Sequence, residues 1–482
     1  MGVGEIFDIG KSGLTANQIA LQTASNNIAN AATPGYSRQR ASLQARSVGV
    51  KDGVMLGGGV DIQTTLRVHD DFVERQIMEE AKNYGTVKTR SESLRHLESL
   101  LHTNGFELGE LTNKFYNSYR ELSANPENSA IRSEVAETAK AVASNFRKTD
   151  SSLHEMKRDI DLKLEYMVGD INTKTKELAI LNEQIARSSY VNEPANELED
   201  RRDMIVRDLS QKLGFPIVTD ERRQFNISST GLGILVQGSE SNQLVVMRTA
   251  GRDGKAAGDV DIFVKDNFGT HSITGAIKEG ELSGLLHVRD NIINPTLKQL
   301  DSTAFQFANS VNDAHKEGVG IDGKSDRGLF HGTEELAGSS SRIDVSDAVK
   351  NSYDVIASGL SPSAPGDNRI ALKIADLQNK ALMPSNVEVK EGAELENNHF
   401  TINEALNSIM GNVASHTARE EQLSKHQEMI LGQLDNYKQS ISGVSLEEEA
   451  VKMIQHQAVF NASAKTMKLG DELLQTILHL KE

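Results

Sequence analysis

The chain is 482 residues long, room for three or four domains at roughly 100–200 residues each. Lys and Arg number 52 against 68 Asp and Glu, a formal net charge of -16, which argues against general affinity for nucleic acid or an anionic membrane. Cysteine and tryptophan are absent, so disulfides, thiolate metal sites and a cysteine nucleophile are excluded. The 5% aromatic content suits long, narrow helical elements with thin cores.

In chain order, the spacing predicts a first helix from about Gly4 to Ala31. Val3, Phe7, Leu14, Leu21, Ala24, Ile28 and Ala31 recur at threes and fours on one seam. Ala32-Thr33-Pro34-Gly35-Tyr36 stops it, since proline disfavours helix in the residue before it and glycine permits positive φ. Ser37 to Leu66 alternates poorly and reads as an extended arm with short strands such as Val60 to Thr64. Helix returns near Asp70, with Leu94, Leu97, Leu101, Leu108, Leu111, Phe115 and Leu122 in register and a possible break at Asn104-Gly105. After a turn at Asn125-Pro126 comes a very long helix whose register runs from Phe146 through Leu153, Ile160, Leu164, Ile171 and Leu178 to Ile185. Glu193-Pro194 ends it, and Asn196 to Leu213 forms one more helix.

The texture changes at Gly214. Phe225–Ile227, Ile234–Val236, Leu244–Val246 and Asp261–Val264 are short β-rich runs between Gly, Ser and Asn. Helix returns from Gly284 to Lys316, Gly318 to Pro384 is mixed and Gly-rich, and Ile402 to Ile441 carries another long stripe. Past a break at Ser442-Gly443, the last helix holds Leu446, Ala450, Met453, Phe460, Ala464, Met467, Leu474 and Leu478 on its seam.

The expected fold is therefore mainly α with a β insert: a long-helix coiled-coil rod with nested domains, its terminal helices pairing. The expected divisions are 1–36 (N-terminal helix), 37–64 (arm), 65–213 (first part of the rod), 214–283 (all-β insert), 284–317 (rod return), 318–400 (mixed segment), 401–441 (last part of the rod) and 442–482 (C-terminal helix, pairing with 1–36). No apolar stretch approaches the ~20 residues of a membrane span, and Met1 to Ala20 lacks the basic head and apolar core of a cleaved secretory signal.

No catalytic set emerges. The 13 histidines show no metal-ligand spacing. Gly231, Gly233 and Gly238 have neither the spacing nor the βαβ context of a dinucleotide loop and read as hairpin glycines. Glu447, Glu448 and Glu449 open a helix after Ser445, where acids favour the helix dipole, so capping accounts for them better than a hydrolase dyad. Neither catalytic residues, nor metals, nor cofactors are expected. Asn26, Asn27 and Asn30 are costly in a helix; they fit either a register-setting polar layer at the seam or a solvated, fraying end.

Ser25-Asn26-Asn27-Ile28-Ala29-Asn30-Ala31-Ala32-Thr33-Pro34-Gly35-Tyr36-Ser37-Arg38 resembles the N-terminal signature of bacterial flagellar axial proteins. Ser442 to Ala450 and Gln457 to Ala464 resemble their C-terminal signature. Asn196 to Asp203 with Leu209-Ser210, Phe307 to His315, and Gly366-Asp367-Asn368 with Ala375 to Gln378 are similar to the hook-associated protein 1 family of the hook–filament junction. Lys465 to Gly470 departs from the small-residue run usual there, and Gly318 to His399 looks short.

The resemblance implies a non-enzymatic adaptor ring joining hook to filament outside the cell, after a cytoplasmic stage and export by the flagellar type III system. It implies terminal helices unpaired until assembly. The partners implied are the hook protein, the second hook–filament junction protein, further copies of the chain, and an export chaperone on the C-terminal helix; nucleic acid and membrane are not among them. The assembly interface would comprise Leu14, Leu21, Asn26, Asn27, Ile28, Asn30, Pro34, Gly35 and Tyr36, and, with the chaperone, Leu446, Ala450, Met453, Phe460, Ala464, Met467, Leu474 and Leu478. The alternative is another axial protein, the hook protein or the second junction protein. A peptidoglycan hydrolase and an adhesin are the rivals from other classes.

Overall fold

The computed structural model describes residues 3–47, 57–191, 193–215, 217–219, 224–229, 231, 233–250, 257–266, 269–364, 366–384 and 398–479. In chain order the elements are α1 (Val3–Ala29), β1 (Gln39–Ser47), β2 (Gly57–Arg67), α2 (Asp71–Ala124), α3 (Ser129–Tyr190) and α4 (Asn196–Lys212). Seven strands follow: β3 (Ile217–Thr219), β4 (Phe225–Ser229), β5 (Gly233–Gln237), β6 (Glu240–Ser241), β7 (Gln243–Ala250), β8 (Ala257–Asp266) and β9 (Gly269–Ser272). Then come α5 (Gly280–His287), α6 (Asn294–Lys316), β10 (Phe330–His331), α7 (Ser339–Arg342), β11 (Asp344–Val345), α8 (Asp347–Asn351), α9 (Arg369–Asp376), β12 (Met383–Pro384), β13 (Asn398–Phe400), α10 (Ile402–Ser442) and α11 (Leu446–His479). The mainly helical class with small antiparallel sheets matches the expectation.

The chain divides into two compact units, each assembled from separated segments. The first holds residues 1–85, 167–280 and 426–482. In it α1 packs on α11 and on the β1–β2 hairpin, and a small core joins Val73, Ile77 and Ala81 to Leu431, with Tyr84, Leu434 and Ile441 against it. Its remaining strands form two sheets, ordered β3-β4-β5-β6 and β7-β8-β9. The second holds residues 86–166 and 281–425. Its core concentrates the chain's few aromatics: Phe115 lies 5.2–5.9 Å, centroid to centroid, from Tyr119, Tyr116, Phe307 and Phe330. Edge-on ring packing of this kind adds about 0.5–1.5 kcal/mol per pair beyond burial.

Four details differ from the sequence reading. α1 ends at Ala29, because Asn30 to Gly35 are already turns and Gly35 takes φ +78°. The arm is a long hairpin with strands of 9 and 11 residues; a two-stranded ribbon with neither face fully buried has no reason to alternate apolar and polar residues. α2 continues across Asn104-Gly105, since the fully buried register from Leu94 and Leu97 to Leu108, Phe115 and Leu122 outweighs one glycine's cost of about 1 kcal/mol. The helix expected from Gly284 to Lys316 contains a π-helical stretch, Val288–Ile293. Pro295 follows at the start of α6, and the wider turn accommodates a residue that can neither donate to the helix ladder nor clear the carbonyl four residues back.

Candidate functional site

The two terminal helices run antiparallel. Ile6 and Phe7 of α1 meet Gly470 of α11, Gly10 meets Met467, and Gly13 meets Ser463. Asn17 Oδ1 is 3.1 Å from His456 Nδ1, and the Ser25 hydroxyl faces the Met453 sulfur. On α11 the inward positions are Glu449, Met453, His456, Phe460, Ser463, Met467 and Gly470, a strict alternation of four and three. On α1 the buried stripe is Gly10, Ala16, Asn17, Ala20, Ala24 and Asn27. A Cβ on Gly10 would sit 2.6 Å from Met467 Cγ, and one on Gly13 would sit 2.7 Å from Ser463 Oγ, so glycine permits this approach.

Of the residues singled out in the sequence, Met453, Phe460 and Met467 lie half-buried on this seam, with Ala450 beside it. Leu14, Leu21 and Ile28 are half-buried, flanking the small-residue stripe. Leu446, Ala464, Leu474 and Leu478 are exposed. Leu474, Ile477 and Leu478 continue the inward spacing past Gly470, and Leu446 and Ala464 lie beside the seam, whereas Val451, Ile454, Leu469 and Leu473 form an exposed outer row turned away from α1. Large apolar residues mark both rows; which one faces α1 is decided by the small and polar residues that let the backbones close.

The three asparagines separate by role. Asn27 is fully buried, with every hydrogen-bonding capacity used. Its Nδ2 donates to the Gln39 carbonyl and to Glu449 Oε2, both at 2.9 Å. Its Oδ1 accepts from the Gln39 N–H at 2.9 Å and from the Tyr36 hydroxyl at 2.8 Å. Asn30 instead donates to Asn26 Oδ1 (2.8 Å) and to its carbonyl, closing the end of α1, and Thr33 donates to Asn30. Glu449 is 1% exposed and also pairs with Lys452 at 2.6 Å. Burial first, then the charges of Asp200, Glu197 and Glu449, push the Tyr36 phenol up to about 12, so it stays a neutral donor.

The turn after α1 is fixed from the other side. Ser37 N–H donates to Asp200 (3.0 Å), and Arg38 N–H donates to the Ser442 carbonyl (2.9 Å) while its guanidinium pairs with Glu448. Arg67 at the end of β2 pairs with Asp200 (3.0 Å) and Asp203 (2.6 Å), and Asn196 donates to the Thr65 carbonyl. The Asn196–Asp203 stretch therefore clamps the hairpin, and the two terminal signatures meet through Asn27–Glu449 and Arg38–Ser442. Gly35 takes φ +78°, where any side chain is strained, and a Cβ there would also displace the Met204 side chain.

Sequence reasoning missed a device that recurs elsewhere. Asn172 and Asn182 on α3 each bond both backbone groups of one strand residue, Leu244 (2.8 and 2.8 Å) and Phe225 (2.9 and 3.0 Å). Asn312 on α6 does the same for Phe330 (3.0 and 2.8 Å). The available signal was an Asn inside a strongly periodic helix, where the residue is otherwise unfavourable. Among the described residues no group of carboxylates and histidines could hold a metal ion, and no helix is long and apolar enough to cross a membrane.

Comparison with known proteins follows the same segments. Residues 94–330 match the family model of the flagellar hook-associated protein FlgK helical domain. Residues 7–36 match that of the flagella basal body rod protein, and 439–480 that of the flagellar basal body rod FlgEFG protein C-terminal region. The chain is 27% identical to flagellar hook-associated protein 1 of Bacillus subtilis, covering 98% of this chain and 97% of that one. It is 25% identical to flagellar hook-associated protein 1 of Salmonella typhimurium, covering 98% of both. A solved structure of the flagellar hook junction protein FlgK from Burkholderia pseudomallei superposes with a TM-score of 0.66 at 15% identity, covering 76% of this chain and 100% of that one.

Proposed function

This chain belongs to the flagellar hook-associated protein 1 (FlgK) family, and on that premise we propose that it forms the adaptor ring between hook and filament. It is a structural protein of the flagellum rather than an enzyme, and it works with other flagellar axial proteins. In the reading advanced here, copies of the chain close a ring through their terminal helices. One side of the ring meets the hook protein and the other the second junction protein. The chain reaches this position through the flagellar export system, after a cytoplasmic stage in which a chaperone covers α11.

The observation that carries this reading is the outer row of α11. Val451 and Ile454 are 54% and 68% exposed, and Leu469 and Leu473 are 55% and 41% exposed. Several large apolar residues exposed on one side of a helix are the kind of surface that marks a binding face. The α1 side of the seam is built of Gly, Ala and Asn, and Met453, Phe460 and Met467 opposite it stay only half-buried, so pairing within one chain leaves apolar area that neighbours in an assembly would cover. The test replaces Val451 or Ile454 with Asp, on the outer row, and compares purified flagella. Loss of the variant from the junction, with the isolated chain folded as wild type, supports the reading. Normal junctions with both variants would remove it.

A further inference from the structure

The β1–β2 hairpin has an open edge, and its direction can be read from two contacts. The Arg38 carbonyl accepts from Val68 N–H at 2.8 Å, so Arg38 bonds toward β2. Gln39 gives both its backbone groups to Asn27, so it faces the other way. Backbone groups alternate sides along a strand. Arg40 and Ser42 therefore bond to β2, while the Ala41 N–H and C=O point outward; the register is even from Gln39↔Arg67 to Ser42↔Thr64 and shifts only beyond Ser42. Asn27 thus blocks the edge at one residue and leaves the next outward position open.

That open position lies in a cavity of about 610 Å³. Six consecutive residues, Arg38 to Leu43, line it, as happens along a strand edge, where both side-chain parities meet the same space. The opposite wall is α1 at Ala20, Thr23 and Ala24 and α11 at Glu449, Lys452 and His456. Among the cavity's charged residues Arg38 is paired with Glu448 and Lys452 with Glu449, which also bonds Asn27, so Arg40 is the cation left to meet an incoming group. Arg40 is exposed and makes no ion pair among the described residues.

We infer that this groove receives an extended, acidic segment of another flagellar subunit, which adds as a third strand to the β1 edge at Ala41, its carboxylates beside Arg40. Main-chain bonds at an unpaired edge supply affinity in strand addition, and flanking charges select the partner. The inference rests on the assembly reading above and specifies one contact within it.

Ala41→Pro is the informative variant. It removes the outward N–H and leaves every bond of the hairpin ladder in place, since proline is tolerated where the N–H faces away from the sheet. Incorporation into purified hook–filament junctions is expected to fall at least about tenfold, equivalent to about 1.4 kcal/mol. Ala41→Val and Arg40→Lys should incorporate as wild type, and Arg40→Glu should fail. Normal incorporation of Ala41→Pro overturns the strand addition, as does equal loss in Ala41→Val; normal incorporation of Arg40→Glu overturns the acidic partner. Because Ala41→Pro could loosen the hairpin, a photoreactive benzoylphenylalanine at Leu43 in the otherwise natural chain is the second measurement. An adduct to an acidic segment of another chain supports the inference, and adducts confined to the same chain overturn it. Phe460→Asp separates the two levels: if it incorporates normally the assembly reading falls, whereas its failure beside normal Ala41→Pro removes this contact alone.

Discussion

Asn27 holds Gln39 as a neighbouring strand would, donating to its carbonyl and accepting from its N–H, each at 2.9 Å. The same amide accepts from Tyr36 and donates to Glu449, so one side chain ties α1, the turn, the hairpin and α11. Asn27→Ala strands two backbone groups and a hydroxyl and leaves a buried carboxylate one donor short. The expected loss is about 2–4 kcal/mol of stability, read from denaturant unfolding. Asn27→Asp should cost more, because it replaces two donors with an acceptor facing both a carbonyl and Glu449. Asn30→Ala, which removes only local bonds at the helix end, should cost about 1 kcal/mol or less. Equal effects of Asn27→Ala and Asn30→Ala would contradict the assignment of roles.

The seam and its outer row give a second contrast. Phe460→Asp places a charge in the α1–α11 seam, and Ile454→Asp places one on the open face. Limited proteolysis should show α1 and α11 cut sooner in Phe460→Asp and at the wild-type rate in Ile454→Asp, while the second compact unit resists equally in both. Ile28→Asp, beside the seam, should fall between them.

His315 makes stability depend on pH. It is fully buried; its Nε2 accepts from Ala357 N–H at 3.0 Å, which leaves Nδ1 to donate to the Arg327 carbonyl at 2.6 Å. Burial, aided by the nearby Arg327 and Arg132 charges, pulls its pKa from 6.5 down to about 4. The unfolded chain therefore binds the extra proton first as pH falls. This contribution is complete above about 6.5 and declines as the pH drops toward 4, by about 2 kcal/mol between pH 7 and pH 5. His315→Gln keeps a donor and an acceptor but cannot titrate, so it should flatten that limb in urea midpoints at the two pH values. An unchanged slope would show that other groups carry it.

Much of this was legible in the sequence because periodicity reports burial. The α2 and α3 registers from Leu94 to Ile185, the turn at Asn125-Pro126 and the β runs between Phe225 and Val264 lie where spacing puts them. The hairpin was not legible, since neither of its faces is a core face. The α11 seam was only half legible. Met453, Phe460 and Met467 fit two overlapping heptads, and Glu449, His456, Ser463 and Gly470, which decide between them, carry no apolar signal. Helix-borne asparagines that cap strands are equally silent, because their partners are brought near only by the fold.

Helical glycines provide a signed test of close packing. A Cβ at Gly109, Gly169, Gly411 or Gly432 meets nothing within 4 Å. Alanine at each should stabilise by about 0.5–1 kcal/mol, as backbone entropy of the unfolded chain falls and helix propensity rises. Gly85 in α2 looks the same in sequence, yet a Cβ there would lie 2.2 Å from the Gln211 carbonyl oxygen on α4. Backbone cannot swing aside as a flexible side chain can, so Gly85→Ala must push the two helices apart. It should destabilise by about 1–3 kcal/mol, the usual cost of overpacking, despite its better propensity. Thermal unfolding of the five single variants checks both signs at once, and a Gly85→Ala melting above wild type would show that α2 and α4 approach less closely than described.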